Sequence, residues 1–331
     1  MTDSDETSTS LSRKERSSLP RIEFRKSQRR DAVFYLAAFA AAALSWLVRL
    51  LPDLLVDWVA LRIGDLSFLV SKSWRANVES NLSHVLDEPP DSARVHRTAR
   101  SVFQSNALNV ATMLRSPHQS PRQLLDSVRV THGDWSILDE ALSAGKGVIV
   151  LTAHLGSFDS MGSSIRARGY PIAALTARTT NRFTFEFISF LRQAHDVKLI
   201  EASSSGVREA IEWVRAGKVL CLLSDRDFFV NGVQVEFFGE ETTLPVGAVR
   251  IARETGAIVI PMFTVRLGSD HALMIEQPFV VERTSDRADD VTIGMQRVVA
   301  ALEGAIEIAP EQWAMFQRVW PVESGLAIEP R

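Results

Sequence analysis

Mostly apolar blocks of strand length recur through the middle of this chain. They are 147–153, Ile172–Ala177, Lys198–Ile200, Val219–Leu223, Ala257–Val265 and Leu273–Glu276. Each is too short and too evenly apolar for a surface helix, so each predicts a buried strand. Between them, 157–167, 181–194, 205–216 and 246–255 place apolar residues at helical spacing. Such alternation predicts an α/β fold, with a mainly parallel central sheet flanked by helices on both faces. A last helix aligns Val291, Met295, Val298, Val299, Leu302 and Ile306 on one stripe. The stretch from about 65 to 145 reads as helical: Phe103, Ala107, Val110 and Ala111 recur at helix spacing and Pro89-Pro90 separates two segments. There is no internal repeat.

The N-terminal pattern is different. Residues 1–30 are polar, Ser- and Thr-rich and without apolar periodicity, the composition of a disordered tail. From Arg13 to Arg30 eight basic residues face only Glu15 and Glu23, a cluster suited to anionic headgroups. Ala32 to Val48 then carries no charge and only Ser45 as a clearly polar side chain. At about 1.5 Å per residue it is roughly 26 Å long, short for a comfortable span. Three readings compete for it: a signal peptide with small residues at Ala40 to Ala43 as a cleavage site, a membrane span, and a helix lying in the interface. Arg29 and Arg30 before it, and Arg49, Arg62, Lys72 and Arg75 after it, oppose moving either end across a bilayer. Leu50 to Leu61 continues the apolar theme, with Trp58 as an interfacial anchor.

Bulk composition narrows the function. The chain has 331 residues, 46% hydrophobic and 23% charged, with a net charge of −3. That excludes a global basic field for nucleic acid. A single cysteine, Cys221 in an apolar run, rules out an internal disulfide framework and reads as a buried inert thiol. Scattered histidines give no metal-binding helix, and neither a phosphate-binding Gly-x4-Gly-Lys loop nor a nicotinamide fingerprint occurs. No metal and no cofactor is expected.

The chemistry concentrates after the first predicted strand, in Thr152-Ala153-His154-Leu155-Gly156-Ser157-Phe158-Asp159. A histidine leaving a strand, with a carboxylate in the first turn of the next helix, suits a base that strips a proton from a hydroxyl. His154 and Asp159 are the expected pair, with Gly156 permitting the turn between them. A second strand ends in Ser224-Asp225-Arg226-Asp227-Phe228. There Asp225 and Asp227 either hold Arg226, bind a metal or form a solvated strand end. Val235 to Glu240 and Leu244-Pro245-Val246-Gly247 follow.

Taken together, these blocks resemble the bacterial lipid A biosynthesis acyltransferases, especially their phosphatidylinositol mannoside acyltransferase branch, within the lysophospholipid acyltransferase superfamily. The resemblance runs from about Trp74 to Trp320. It is carried by Arg75-Ala76-Asn77-Val78 with Asn81-Leu82, the Gly147 to Asp159 block, Ser224 to Phe228, Gly232 to Glu240, Leu244 to Gly247, and Pro310-Glu311-Gln312-Trp313 with Trp320. It implies transfer of a fatty acyl chain from acyl-CoA or acyl-carrier protein to a hydroxyl of a membrane lipid. His154 is then the general base and Asp159 its partner. No acyl-enzyme is required, in keeping with the absence of a Gly-x-Ser-x-Gly elbow. Backbone N–H groups near Ser157 are candidates for oxyanion donors. Arg178 resembles the family's arginine position and would meet a phosphate, with Arg182 as a second cation. Asp225, Arg226 and Glu240 join these as substrate-binding candidates. Many family members carry Glu where this chain has Asp159, which leaves the acceptor class open. A hydrolase acting through the same pair, or a silent lipid-binding protein on this fold, are the alternatives.

The expected organisation is a basic tail (1–30), membrane-associated helices (31–64), an acyltransferase domain (65–322) and a short tail (323–331). A monomer at the cytoplasmic face of a bacterial plasma membrane is expected, meeting a lipid acceptor, a thioester donor and the membrane surface.

Overall fold

The computed structural model describes residues 31–176, 181–227, 232–268 and 270–321. Four helices open the described chain: α1 (Ala32–Leu50), α2 (Asp53–Val70), α3 (Lys72–Leu86) and α4 (Ala93–Arg115). Then come α5 (Pro121–Asp126), β1 (Val128–His132), α6 (Ser136–Ser143), β2 (Val148–Thr152), α7 (Phe158–Ala167), β3 (Ile172–Thr176) and α8 (Arg182–Gln193). They are followed by β4 (Lys198–Glu201), α9 (Ser204–Arg215), β5 (Val219–Leu223), β6 (Val233–Phe237), β7 (Glu240–Leu244) and α10 (Gly247–Thr255). β8 (Ile258–Leu267), β9 (Asp270–Ile275), β10 (Phe279–Val280) and α11 (Arg287–Ile308) complete the order.

The main sheet runs β1-β9-β8-β2-β5-β3-β4, with β10 on β8. β8, β2, β5, β3 and β4 are mutually parallel, whereas β9 is antiparallel to β8. β2 is buried along its whole length, Val148 to Thr152, because helices cover both faces of the sheet. One core cluster joins Ile149, Leu151 and Leu220 to α10 and α11; the other joins Val148, Val150 and Val219 to α6 and α7. The α/β expectation holds, with strands and helices within a few residues of the expected bounds.

Two elements depart from the sequence reading. β1 falls inside the stretch expected to be helical. Its Val-Arg-Val-Thr alternation of β-branched residues suits a strand, and it pairs parallel to β9. β6 and β7 form a separate antiparallel hairpin. Phe238 and Gly239, at φ 51° and 77°, make the two-residue turn whose twist matches such strands.

Apolar spacing sets how the first helices pack. α1 buries Phe34, Ala37, Ala41 and Ser45, one stripe at helical spacing. α2 buries Val56, Ala60, Gly64 and Phe68. Gly64 lies against the α4 backbone at Gln104, where an added Cβ would sit 2.6 Å from Cα. The boundary expected at 64/65 therefore falls inside α2, because its buried stripe is continuous. The opposite faces stay apolar and exposed: Leu36, Phe39 and Trp46 on α1, and Leu54, Trp58 and Leu66 on α2. Both ends of α1 are fastened to the body. Asp31 caps Phe34 and pairs with Arg182 of α8, while Ser45 Oγ donates to the Leu114 carbonyl and meets His118 Nε2 at 3.0 Å.

Candidate active site

The site follows from strand register. β2 and β5 are parallel neighbours with Thr152 opposite Leu223. Two residues beyond those partners stand His154 and Asp225. The Ser224 N–H donates to the Thr152 carbonyl at 2.9 Å, extending the ladder by one step. At the next step Asp225 receives two hydrogen bonds from His154, one from the backbone N–H at 2.7 Å and one from ring Nδ1 at 2.8 Å. The indole N–H of Trp313 also donates to Asp225, at 2.9 Å.

The carboxylate is completely buried. Burial opposes its charge, but the adjacent imidazole and these donors outweigh that and hold the carboxyl below the ordinary range. An ionised carboxylate only accepts, so the Nδ1 hydrogen bond places the proton on Nδ1 and leaves Nε2 as the basic nitrogen. Among the described residues Nε2 has no hydrogen-bond partner.

The loop carrying His154 is clamped from three sides. Gly156 adopts φ +51°, and an added Cβ would lie 2.0 Å from the Thr264 carbonyl oxygen, so only glycine fits there. Asn109 of α4 donates to the Gly156 carbonyl at 2.6 Å. The Gln312–Ala314 segment runs alongside, with Gly156 N–H to the Gln312 carbonyl at 3.0 Å and Ala314 N–H to the His154 carbonyl at 2.8 Å.

Asp159 is not the partner of His154, contrary to the expected pairing. It stands in the first turn of α7, where Arg192 of α8 reaches it through Nε at 2.6 Å. The side chain that α7 presents to His154 is instead Phe158, edge-to-face at 5.6 Å between ring centres. Five residues cover the loop and a helical turn, and that turn points Asp159 towards α8.

His154 lines a cavity of about 650 Å³ between the carboxyl ends of β3 and β5 and helices α8, α9 and α10. Arg192, Arg226 and Arg250 share the walls with Phe185, Ile188, Val207 and Leu222. Burial pulls Arg226 down to about 10, partly offset by Asp225. Leu175, Thr176, Arg192 and Leu223 also bound a smaller cavity of about 50 Å³, lined further by Asp159, His195 and Cys221. Burial pushes the Cys221 thiol up to about 12, so it stays protonated and unreactive.

The other candidates separate. Arg226 faces the cavity, and Asp225 is committed to His154 and Trp313 rather than to Arg226 or a metal. Ser157 is buried with Oγ 2.6 Å from Ser160 Oγ and does not line the cavity of His154. Arg182 ties α8 to Asp31 and also approaches Glu186. Glu240 is exposed at the hairpin and pairs with His84 at 3.0 Å. Neither Arg182 nor Glu240 lines the cavity. Arg178 lies outside the described residues. Among the described residues no three His, Cys, Asp or Glu side chains are grouped to hold a metal ion. Sequence reasoning missed Arg192, Arg250 and the contact of Trp313 with Asp225. Trp313 did stand in one of the resembling blocks, but its partner is 88 residues away.

Residues 23–321 match the family described as bacterial lipid A biosynthesis acyltransferase. The chain belongs to that family. It is an O-acyltransferase of lipid biosynthesis. It is similar to the phosphatidylinositol mannoside acyltransferase of Mycobacterium tuberculosis strain CDC 1551, at 27% identity over 73% of this chain and 76% of that protein. The protein of the same name from Mycolicibacterium smegmatis is 25% identical over 72% and 77%. A lipid A biosynthesis acyltransferase of Haemophilus influenzae is 26% identical over 53% and 54%. The acyltransferase's described helices include one, α1, long and apolar enough to cross a membrane.

Proposed function

We propose that this acyltransferase moves a fatty acyl chain from a thioester, acyl-CoA or acyl-carrier protein, to a sugar hydroxyl of a membrane glycolipid of the phosphatidylinositol mannoside type. The mycobacterial relatives' names support that acceptor. The observation that carries the mechanism is His154, with Nδ1 on a buried carboxylate and its ring in the wall of a large cavity.

In this reading His154 Nε2 takes the proton of the acceptor hydroxyl as its oxygen attacks the thioester carbonyl carbon. Asp225 stabilises the imidazolium that results. Collapse of the tetrahedral intermediate breaks the C–S bond, and the departing thiolate takes the proton from His154, leaving ester and free thiol. Arg226, Arg192 and Arg250 supply positive charge for the phosphates that both substrates carry. Apolar walls from α8 and α9 suit the hydrocarbon chains.

The exposed apolar faces of α1 and α2 suit docking on a bilayer. The fastening of both ends of α1 to the body supports a helix lying along the surface over one that spans. Arg49, Arg62, Lys72 and Arg75 favour the cytoplasmic side of the plasma membrane. A monomer suffices, since His154 and Asp225 come from one chain.

Palmitoyl-CoA incubated with phosphatidylinositol mannoside in mixed micelles tests the proposal by mass spectrometry. An acylated glycolipid with stoichiometric free CoA, lost in His154→Ala, is expected. Free fatty acid as sole product, formed without acceptor, would establish a hydrolase. Undiminished transfer by His154→Ala would remove the base assignment.

A further inference from the structure

Asp225 shares its charge between two rings. Oδ1 accepts from His154 Nδ1, and Oδ2 accepts from both the His154 backbone N–H and the indole N–H of Trp313. Trp313 is 1% exposed and packs edge-to-face on Phe237 and Trp320. Its segment is tied at two neighbouring residues. The Gln312 side chain accepts from the Arg266 N–H at 2.7 Å and donates to the Arg266 carbonyl at 3.0 Å, tying it to β8. Leu155 and Trp313 form an antiparallel bridge between that segment and the catalytic loop. A buried tryptophan needs a partner for its N–H. Here the partner is the group that holds the base.

We propose that Trp313 is a positioning residue for acyl transfer: by sharing Asp225 with His154, its indole N–H fixes the imidazole and moderates the carboxylate's pull on the Nδ1 proton. This rests on the reading of His154 as general base. A donor on Oδ2 withdraws charge from Asp225, so without it the carboxylate binds the imidazolium more tightly. The imidazolium then gives up its proton less readily, and the base becomes harder to regenerate. The other charged groups around His154 come from elsewhere. Arg226 follows β5, Arg250 is on α10, and Arg192 is on α8 where it pairs with Asp159 of α7. Changing Trp313 leaves all of them in place.

The test replaces Trp313 by 3-benzothienylalanine, which puts sulfur where the N–H was and keeps the ring shape. Trp313→Phe serves as a second, smaller variant. With palmitoyl-CoA and phosphatidylinositol mannoside, the expected result is about a tenfold fall in kcat, the size of one lost charge-assisted hydrogen bond. KM should be unchanged, and the acid limb of the pH–rate profile should move to higher pH. Independently of substrate, the imidazole N–H proton signal of His154 in ¹⁵N-histidine-labelled protein should move downfield as its bond to Asp225 strengthens. A role in packing alone would leave the acid limb and that signal in place. Wild-type kcat, profile and proton signal in the benzothienyl variant would overturn the proposal. Absence of transfer by the wild type would overturn the acyl-transfer reading instead, while the proton signal would still decide the role of the indole: a shift supports it, no shift overturns it.

Discussion

Asp225 grips His154 at two points, the ring Nδ1 at 2.8 Å and the backbone N–H at 2.7 Å. One carboxylate thus sets both the course of the loop and the angle of the ring. Asp225→Asn keeps the shape but removes the charge that stabilises an imidazolium and fixes the tautomer. Transfer should fall by roughly 10³–10⁴-fold in kcat with little change in KM. Steady-state kinetics on the purified variant checks this.

Asp159 should behave differently. Its partner Arg192 lines the cavity, and the two side chains are 19% and 20% exposed. Asp159→Asn leaves that guanidinium unpaired in a largely buried position. A stability loss of about 2 kcal/mol is expected, below the roughly 3–5 kcal/mol of a fully buried pair. Chemical denaturation measures it. A double variant Asp159→Asn with Arg192→Gln should recover part of the loss, since no lone charge is then left.

His271 makes the fold sensitive to mild acid. Burial, with help from nearby Arg266, depresses its pKa from 6.5 to about 4, although the hydrogen bond at the Ser127 carbonyl opposes this. Between pH 6.5 and about 4 the unfolded chain binds this proton and the folded chain does not. Stability therefore falls as pH falls through that window, and the loss levels off below it. At pH 5 the contribution is about 2 kcal/mol relative to pH 7.5. Denaturation of His271→Gln at the two pH values should show that much less acid loss than the wild type.

The apolar faces of α1 and α2 should govern attachment. Leu36, Phe39 and Leu54 are 61%, 72% and 85% exposed, so replacing all three by Ser removes little packing from the fold. Each would leave about 1.5–3 kcal/mol of burial unused on a bilayer. Binding to anionic vesicles should drop by about a hundredfold or more in co-sedimentation, with the melting temperature nearly unchanged. Retained binding would assign these faces to another partner.

Local pattern was enough for most elements. Apolar runs such as Val219–Leu223 read as strands because they are too short for a buried helix and are bounded by polar residues, and the stripe of α11 read as a helix. β1 was hidden because five residues carry too little periodicity to stand out beside helices. The hairpin was hidden because its turn uses Phe238 at positive φ rather than an Asn-Gly pair. At the site, His154 was legible as a histidine leaving a strand. Its carboxylate was not: Asp159 follows within the next helical turn, whereas Asp225 stands 71 residues on and reads locally as a neighbour of Arg226.

The sequence by itself determined that a buried strand would deliver a histidine to one edge of an α/β sheet, and that another would deliver Asp225. Both follow from hydrophobic length and the polar residues just beyond it. Only the tertiary structure decided that β2 and β5 lie side by side, with Thr152 opposite Leu223. Strand order is set by packing across the whole sheet, and no local pattern encodes it. That one-step register puts Asp225 on His154, turns Asp159 towards Arg192, and leaves room for Trp313 to complete the carboxylate.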